Sequence, residues 1–151
     1  MSHIHKLIDF TVVCYIVYGN KVLLIHHKKL NKWLPISGHI ELDEDPEQAL
    51  FREIEEECGL EVEIVAEKPD LKTEYRKFLL TPTYLDIHPI DDTHKHIGMT
   101  YFGKAKSDAV KLAEKEHHEI RWFTIQDVES PKYELTEDIK FYIEEALKIT
   151  N

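Results

Sequence analysis

Apolar and β-branched residues run from 10 to 18, stop at Gly19-Asn20, and resume from 21 to 27. Two such runs separated by a two-residue Gly-Asn step are the signature of a β-hairpin, so a sheet begins early in the chain. A loop carrying Trp33, Pro35 and Gly38 follows, and the pattern then changes to that of a helix over 45–58. Asp45 suits its N-cap, Pro46 the first helical position, Gln48 the third, and Gly59 the position just past its end. Ala49, Leu50 and Ile54, with Cys58 a turn further on, form the apolar stripe that docks this helix on a sheet. Further strands are predicted over 60–65, 75–80, 84–88, 96–105 and 119–123, and an amphipathic helix over 135–149 closes the chain. Strands interrupted by one internal helix and closed by a terminal one predict an α/β (α+β) fold, with a mixed β-sheet sandwiched between helices.

At 151 residues without repeats or low-complexity linkers, the chain reads as a single domain, 1–151. A chain of this length buries roughly two-thirds of its unfolded surface, so its core needs no covalent staples. Cys14 and Cys58 have neither CxxC spacing nor the density of a secreted disulfide scaffold, and are read as reduced thiols. The amino-terminal residues lack the apolar core of a signal peptide, and no later run is long enough to cross a bilayer. A cytoplasmic protein with no membrane partner is therefore expected. The formal net charge of −10 argues against nucleic-acid binding, which relies on a basic patch to neutralise phosphates. An acidic protein that handles phosphates needs metal cations to do so.

The chemistry centres on the internal helix. Glu53, Glu56 and Glu57 are spaced i, i+3 and i+4, which places their carboxylates on one helix face. Like charges held so close share protons, raise one another's pKa, or bind cations. Hard oxygen donors at this density favour Mg²⁺ or Mn²⁺, which keep several waters and accept substrate phosphates as remaining ligands. Taken alone, a glutamate run in so acidic a chain marks a solvated surface.

The wider pattern overturns that reading. Gly38, five residues, Glu44, seven residues, then Arg52-Glu53-Ile54-Glu55-Glu56-Glu57-Cys58-Gly59-Leu60 resembles the Nudix box of the MutT/Nudix superfamily at every specified position. The resemblance implies the Nudix fold and divalent-metal-dependent hydrolysis of a diphosphate linkage. It also assigns roles: Glu53, Glu56 and Glu57 as metal ligands, the Gly38 carbonyl as a candidate further ligand, and Arg52 with Glu44 as the brace of the loop–helix–loop. Bidentate pairing of a permanent cation with a carboxylate suits that brace, as does an ordinary helix-surface salt bridge. Upstream, Trp33 to Glu41 resembles the family's entry loop, with Ser37 where a first glycine usually stands, so the backbone there needs no positive φ. Glu41 is either an additional metal- or water-binding group or a solvated loop residue. A distal carboxylate often completes the family's site ahead of a late strand. Glu116 is the first choice among Glu114, Glu116 and Glu119, and Glu119 belongs to the strand itself. In such a site a metal-activated water attacks phosphorus in line, with Glu57, Glu56 or Glu116 as proton acceptor.

Ten histidines invite a zinc reading, above all His94-x-His96, His117-His118 and His26-His27. No HExxH helix or cysteine partner accompanies them, so structural or surface roles are expected. His39, beside the phosphate loop, is the best substrate-binding candidate, since its ring can donate to a phosphate oxygen. Trp33, Tyr75, Tyr84 and Tyr101 are candidates for stacking a base, against core roles for each. The marks of ADP-ribose and diadenosine polyphosphate hydrolases are missing, so the expected small-molecule partner spans nucleotide, nucleotide-sugar, ADP-ribose and dinucleotide types. Two rivals share the fold: a catalytically inactive nucleotide-binding module and an isomerase of the isopentenyl-diphosphate type. Nothing fixes an oligomeric state, and a homodimer is left open.

Overall fold

A computed structural model describes residues 5–151. Its sheet contains eight strands built around two long ones, β1 (Ile8–Tyr18) and β7 (Lys95–Ala105), which run parallel from Ile8↔Lys95 to Val17↔Lys104. The Gly19-Asn20 turn joins β1 to β2 (Lys21–His27), with Tyr18 opposite Lys21, as the hairpin signature predicted. Beyond β2 lie β3 (Lys32–Leu34) on one edge and β8 (His117–Phe123) on the other. The edge of β1 that β2 leaves free is taken by β4 (Ile36–His39), antiparallel, from Thr11↔His39 to Cys14↔Ile36. β5 (Val62–Ile64) and β6 (Tyr84–Pro89) share the far edge of β7. Parallel β1 and β7 cannot be joined by a tight turn, and the crossover between them contains α1 (Pro46–Glu57).

Alternation along the strands assigns the two faces. Val12, Cys14, Ile16, Leu23 and Ile25 pack with Ala49, Leu50 and Ile54 of α1. Tyr15, Val17, Val22, Leu24 and Phe102 pack on the opposite face with Ile139, Ile143 and Ala146 of α3 (Glu137–Thr150), beside the short α2 (Ile125–Glu129). A mixed sheet covered by helices on both faces is the architecture expected from the sequence. Cys14 and Cys58 are buried free thiols. No helix among the described residues is long and apolar enough to cross a membrane.

Two local expectations fail. Residues 75–80 form no strand and pair with no neighbouring strand. Their backbone is held by other groups: Leu80 donates its N–H to the Glu47 carboxylate and accepts from the Tyr101 hydroxyl at 3.2 Å. The loop around Trp33 and Gly38 instead contains β3 and β4, three and four residues long, separated by Pro35. Strands so short carry no readable alternation, and their pairing partners lie elsewhere in the chain.

Candidate active site

The helix that presents the glutamates is fixed at both ends. The Asp45 side chain accepts from the Gln48 N–H at 2.9 Å, and the Gln48 side chain accepts from the Asp45 N–H at 2.9 Å, closing a capping box. At the other end Gly59 takes φ +64° and donates to the Ile54 carbonyl at 3.0 Å, a conformation a side chain would strain. With Ala49, Leu50 and Ile54 pinned to the sheet, the orientation of the remaining helix positions follows.

That orientation places the three glutamates in different surroundings. Glu57 is 3% exposed and points at the β4 backbone, where its Oε1 accepts from the Ser37 N–H at 3.2 Å. Glu53 is half-buried and lies against Gly38 so closely that a Cβ there would sit 2.0 Å from its Oε1. Glu56 faces solvent and lines an open concavity of about 610 Å³ with Glu41, Asp43, Glu44, Gln48 and Arg52. Ser37 is not in the positive-φ region, in keeping with a non-glycine residue there.

Arg52 ties these parts together. Its Nε donates to both carboxylate oxygens of Glu44 at 3.0 Å, and Nη1 donates to Glu53 Oε1 at 2.8 Å and to Glu56 Oε2 at 3.2 Å. Nη2 donates to the carbonyl of His39 at 3.0 Å, so one guanidinium links the loop before the helix, the helix and β4. The Glu44 carboxyl is held below its usual range by that hydrogen bond.

Burial pushes Glu57 up to about 8 and Glu53 up to about 7, the latter further raised by the Glu57 charge. Two carboxyls so close, each raised by burial, favour the state in which they are not both ionised. Beside Glu57 lies His117, 2% exposed, with Nε2 at 3.2 Å from Glu57 Oε2 and 3.9 Å from Glu116 Oε2. Neither ring nitrogen of His117, nor Glu57 Oε2, has a hydrogen-bond partner among the described residues. Burial holds the His117 ring toward its neutral form. Glu116 itself is exposed at the mouth. This neighbourhood fits a hard divalent cation: a carboxylate oxygen left unpaired in a buried position, a second carboxylate at hand, and a backbone that a Cβ would block.

Glu53, Glu56, Glu57, Arg52, Glu44 and Gly38 thus converge, with Glu116 on the rim. Glu41 lines the concavity beside Glu44. His39 does not join them: it lies opposite Thr11 in the register, so its ring projects from the face of the sheet away from α1, with Nε2 3.3 Å from Asp9 Oδ2. Of the stacking candidates, Tyr101 is core, Trp33 packs edge-on against Phe123, and Tyr84 donates to Glu145 at 2.9 Å. Tyr75 is exposed. His117 was passed over in the sequence because nothing local distinguishes it from His118; only the pairing of β8 with β2 turns it inward.

The family model described as NUDIX domain matches residues 9–144. A NUDIX-family hydrolase from Clostridium perfringens aligns at 31% identity and TM-score 0.81, covering 95% of this chain and 98% of that one. The fold is also shared with a C. elegans Ap4A hydrolase in a binary complex, at 18% identity, TM-score 0.66 and coverage of 90% and 93%. The NUDIX domain of Shewanella oneidensis NrtR complexed with ADP ribose aligns at 18% identity and TM-score 0.68, covering 97% and 91%. With the complete box folded into one loop–helix–loop and the family match extending from β1 into α3, the chain belongs to the Nudix family.

Proposed function

We propose that the chain is a divalent-metal-dependent pyrophosphohydrolase that cuts the diphosphate linkage of a nucleoside diphosphate bonded to a further moiety. The observation that carries this reading is the Glu53–Glu57 pair, held against the Ser37–Gly38 backbone, with Glu57 buried and its Oε2 left without a hydrogen-bond partner. A module that only bound nucleotides would have no use for self-repelling carboxylates in so costly a position. Two proteins with this fold, the C. elegans Ap4A hydrolase and the NrtR NUDIX domain complexed with ADP ribose, support a nucleotide-like substrate.

Glu53, Glu57 and Glu56 would hold Mg²⁺ or Mn²⁺, with the Gly38 carbonyl and Glu116 as further donors. The bound cations would neutralise the diphosphate oxygens and make water a competent nucleophile. Arg52 keeps Glu53 and Glu56 oriented while its own position is set by Glu44. The proton lost by the attacking water falls to an exposed carboxylate, Glu56 or Glu116, since Glu57 is enclosed by the Ser37 N–H and His117. Glu41, on the wall of the concavity, would offer a carboxylate to water bound at the cations.

The test is incubation with Mg²⁺ and nucleoside triphosphates, nucleotide sugars, ADP-ribose and dinucleoside polyphosphates, beside Glu56→Gln, with products separated by chromatography. Mg²⁺-dependent cleavage of one class, abolished in the variant, is expected. An intact panel with tight binding of one member would replace the hydrolase by a binding module.

A further inference from the structure

Four adjacent strands, β4, β1, β7 and β6, bring a row of imidazoles to the sheet face away from α1. The register pairs Asp9 of β1 with His96 of β7, and His96 with His88 of β6, while His39 of β4 lies opposite Thr11, two residues along β1 from Asp9. Residues opposite one another, or two apart on one strand, share a face. Tyr15 and Val17, on the same alternation as Asp9, face α3, so the row lies on the sheet face that α3 covers further along. His94, just ahead of β7, adds a fourth ring.

Three of the four rings converge on one atom; the remaining one, His88, pairs with Asp86 at 2.7 Å. Asp9 Oδ2 lies 2.6 Å from His94 Nε2, 3.3 Å from His39 Nε2 and 3.5 Å from His96 Nε2. Donor atoms of Asp9, His39 and His96 all lie within 4.8 Å of one another. A tetrahedral ion with bonds of about 2.0–2.1 Å sets its ligand atoms about 3.3–3.4 Å apart, close to two of these separations. An ordinary surface ion pair needs one cationic partner for a carboxylate; three rings around a single oxygen is the crowding that a shared cation relieves. The cluster is open to solvent, with His39 the most exposed of its side chains.

We infer that Asp9, His39 and His96 form a second metal site, selective for a borderline divalent transition ion of the zinc class, with a fourth position open to solvent. Two imidazoles and one carboxylate are the donors such an ion prefers, whereas Mg²⁺ prefers the oxygen-only set across β4. His94 orients the Asp9 carboxylate. The zinc reading dismissed from the spacing of His94 and His96 returns because the missing partners come from β1 and β4, more than fifty residues away in the chain. The site shares no donor side chain with the glutamate centre and does not depend on the proposed hydrolysis.

Metal-stripped protein titrated with Co²⁺ in excess Mg²⁺ tests this through the visible absorption of a tetrahedral cobalt centre. One equivalent is expected to bind, to resist Mg²⁺ and to be displaced by Zn²⁺. Asp9→Asn, His96→Gln and the exposed His39→Gln should each abolish the band, while Glu53→Gln and Glu57→Gln retain it. His94→Gln, which alters an orienting group, should weaken Co²⁺ roughly 10–100-fold. Circular dichroism establishes that each variant is folded, and His39→Gln, far from the core, supplies the decisive variant if another is not. Absence of the band, its displacement by Mg²⁺, its survival in His39→Gln, or its loss in Glu53→Gln would each overturn the second site.

Discussion

The two sides of β4 hold polar clusters built on opposite plans. Toward α1, all the clustered groups except Glu116 and His117 come from residues 38–57, a strand end, a loop and the helix that follows, and a single guanidinium links several of them. Away from α1, the donors come from separate strands, and only the sheet register brings them together. The first plan buries a carboxylate against backbone, and the second crowds rings around one half-buried carboxylate oxygen. Local assembly tolerates deep burial because a capped helix fixes every donor at once. Assembly across strands relies on pairing that the core has already set.

The largest effect that would break this contrast is loss of activity on the α1 side. Glu57→Gln removes the buried carboxylate proposed to hold the cation, and electrophilic stabilisation worth several kcal/mol corresponds to a fall in kcat of roughly 10³-fold or more. Steady-state assays in saturating Mg²⁺ measure it; a loss below about tenfold would detach Glu57 from the chemistry. Gly38→Ala comes next. Its Cβ would overlap Glu53 Oε1, and displacing that carboxylate by about 1 Å should cost on the order of 10²-fold in kcat/KM. The protein should stay folded, because the clash is with the end of a side chain. Arg52→Lys keeps the charge but cannot reproduce the contacts to Glu44, Glu53, Glu56 and the His39 carbonyl, so activity or Mg²⁺ affinity should drop roughly 10–100-fold. Unchanged kinetics in Arg52→Lys would reduce the brace to a surface salt bridge.

The same contrast explains what the sequence disclosed. The box, the Asp45 cap and the Gly59 terminus are all relations between residues within one loop–helix–loop, where spacing translates directly into geometry. The β1–β2 hairpin was legible for the same reason, since its turn is two residues long. The inequality of the glutamates was not: i, i+3 and i+4 spacing puts Glu53, Glu56 and Glu57 on one side of the helix, but the sheet edge decides that Glu57 is buried and Glu56 is not. His117 beside Glu57, and the rings around Asp9, depend on strand pairing and were invisible for that reason. Residues 75–80 have strand-like composition, yet Leu80 is held by the Glu47 side chain and the Tyr101 hydroxyl rather than by a neighbouring strand, and composition is silent on such distant partners.

The smallest expected effect is thermodynamic and isolates the raised ionisation of Glu53 and Glu57. In unfolded chain these carboxyls ionise near the ordinary value of about 4.3. In the folded, metal-free protein burial raises them to about 7 and about 8. The folded state therefore binds more protons than the unfolded state between those limits, and stability must fall as pH rises. Their contribution is complete below the unfolded value and is lost as pH passes through the two folded values. Thermal unfolding in EDTA should show Tm falling by a few degrees between about pH 5 and pH 8, a slope that Glu53→Gln flattens. Mg²⁺ requires the ionised pair, so its stabilisation should grow over the same interval and be greatest at the alkaline end. A metal-free Tm that rises across this window in the wild type, with the same slope in Glu53→Gln, would show that the two carboxyls are not raised and that their burial is relieved in some other way.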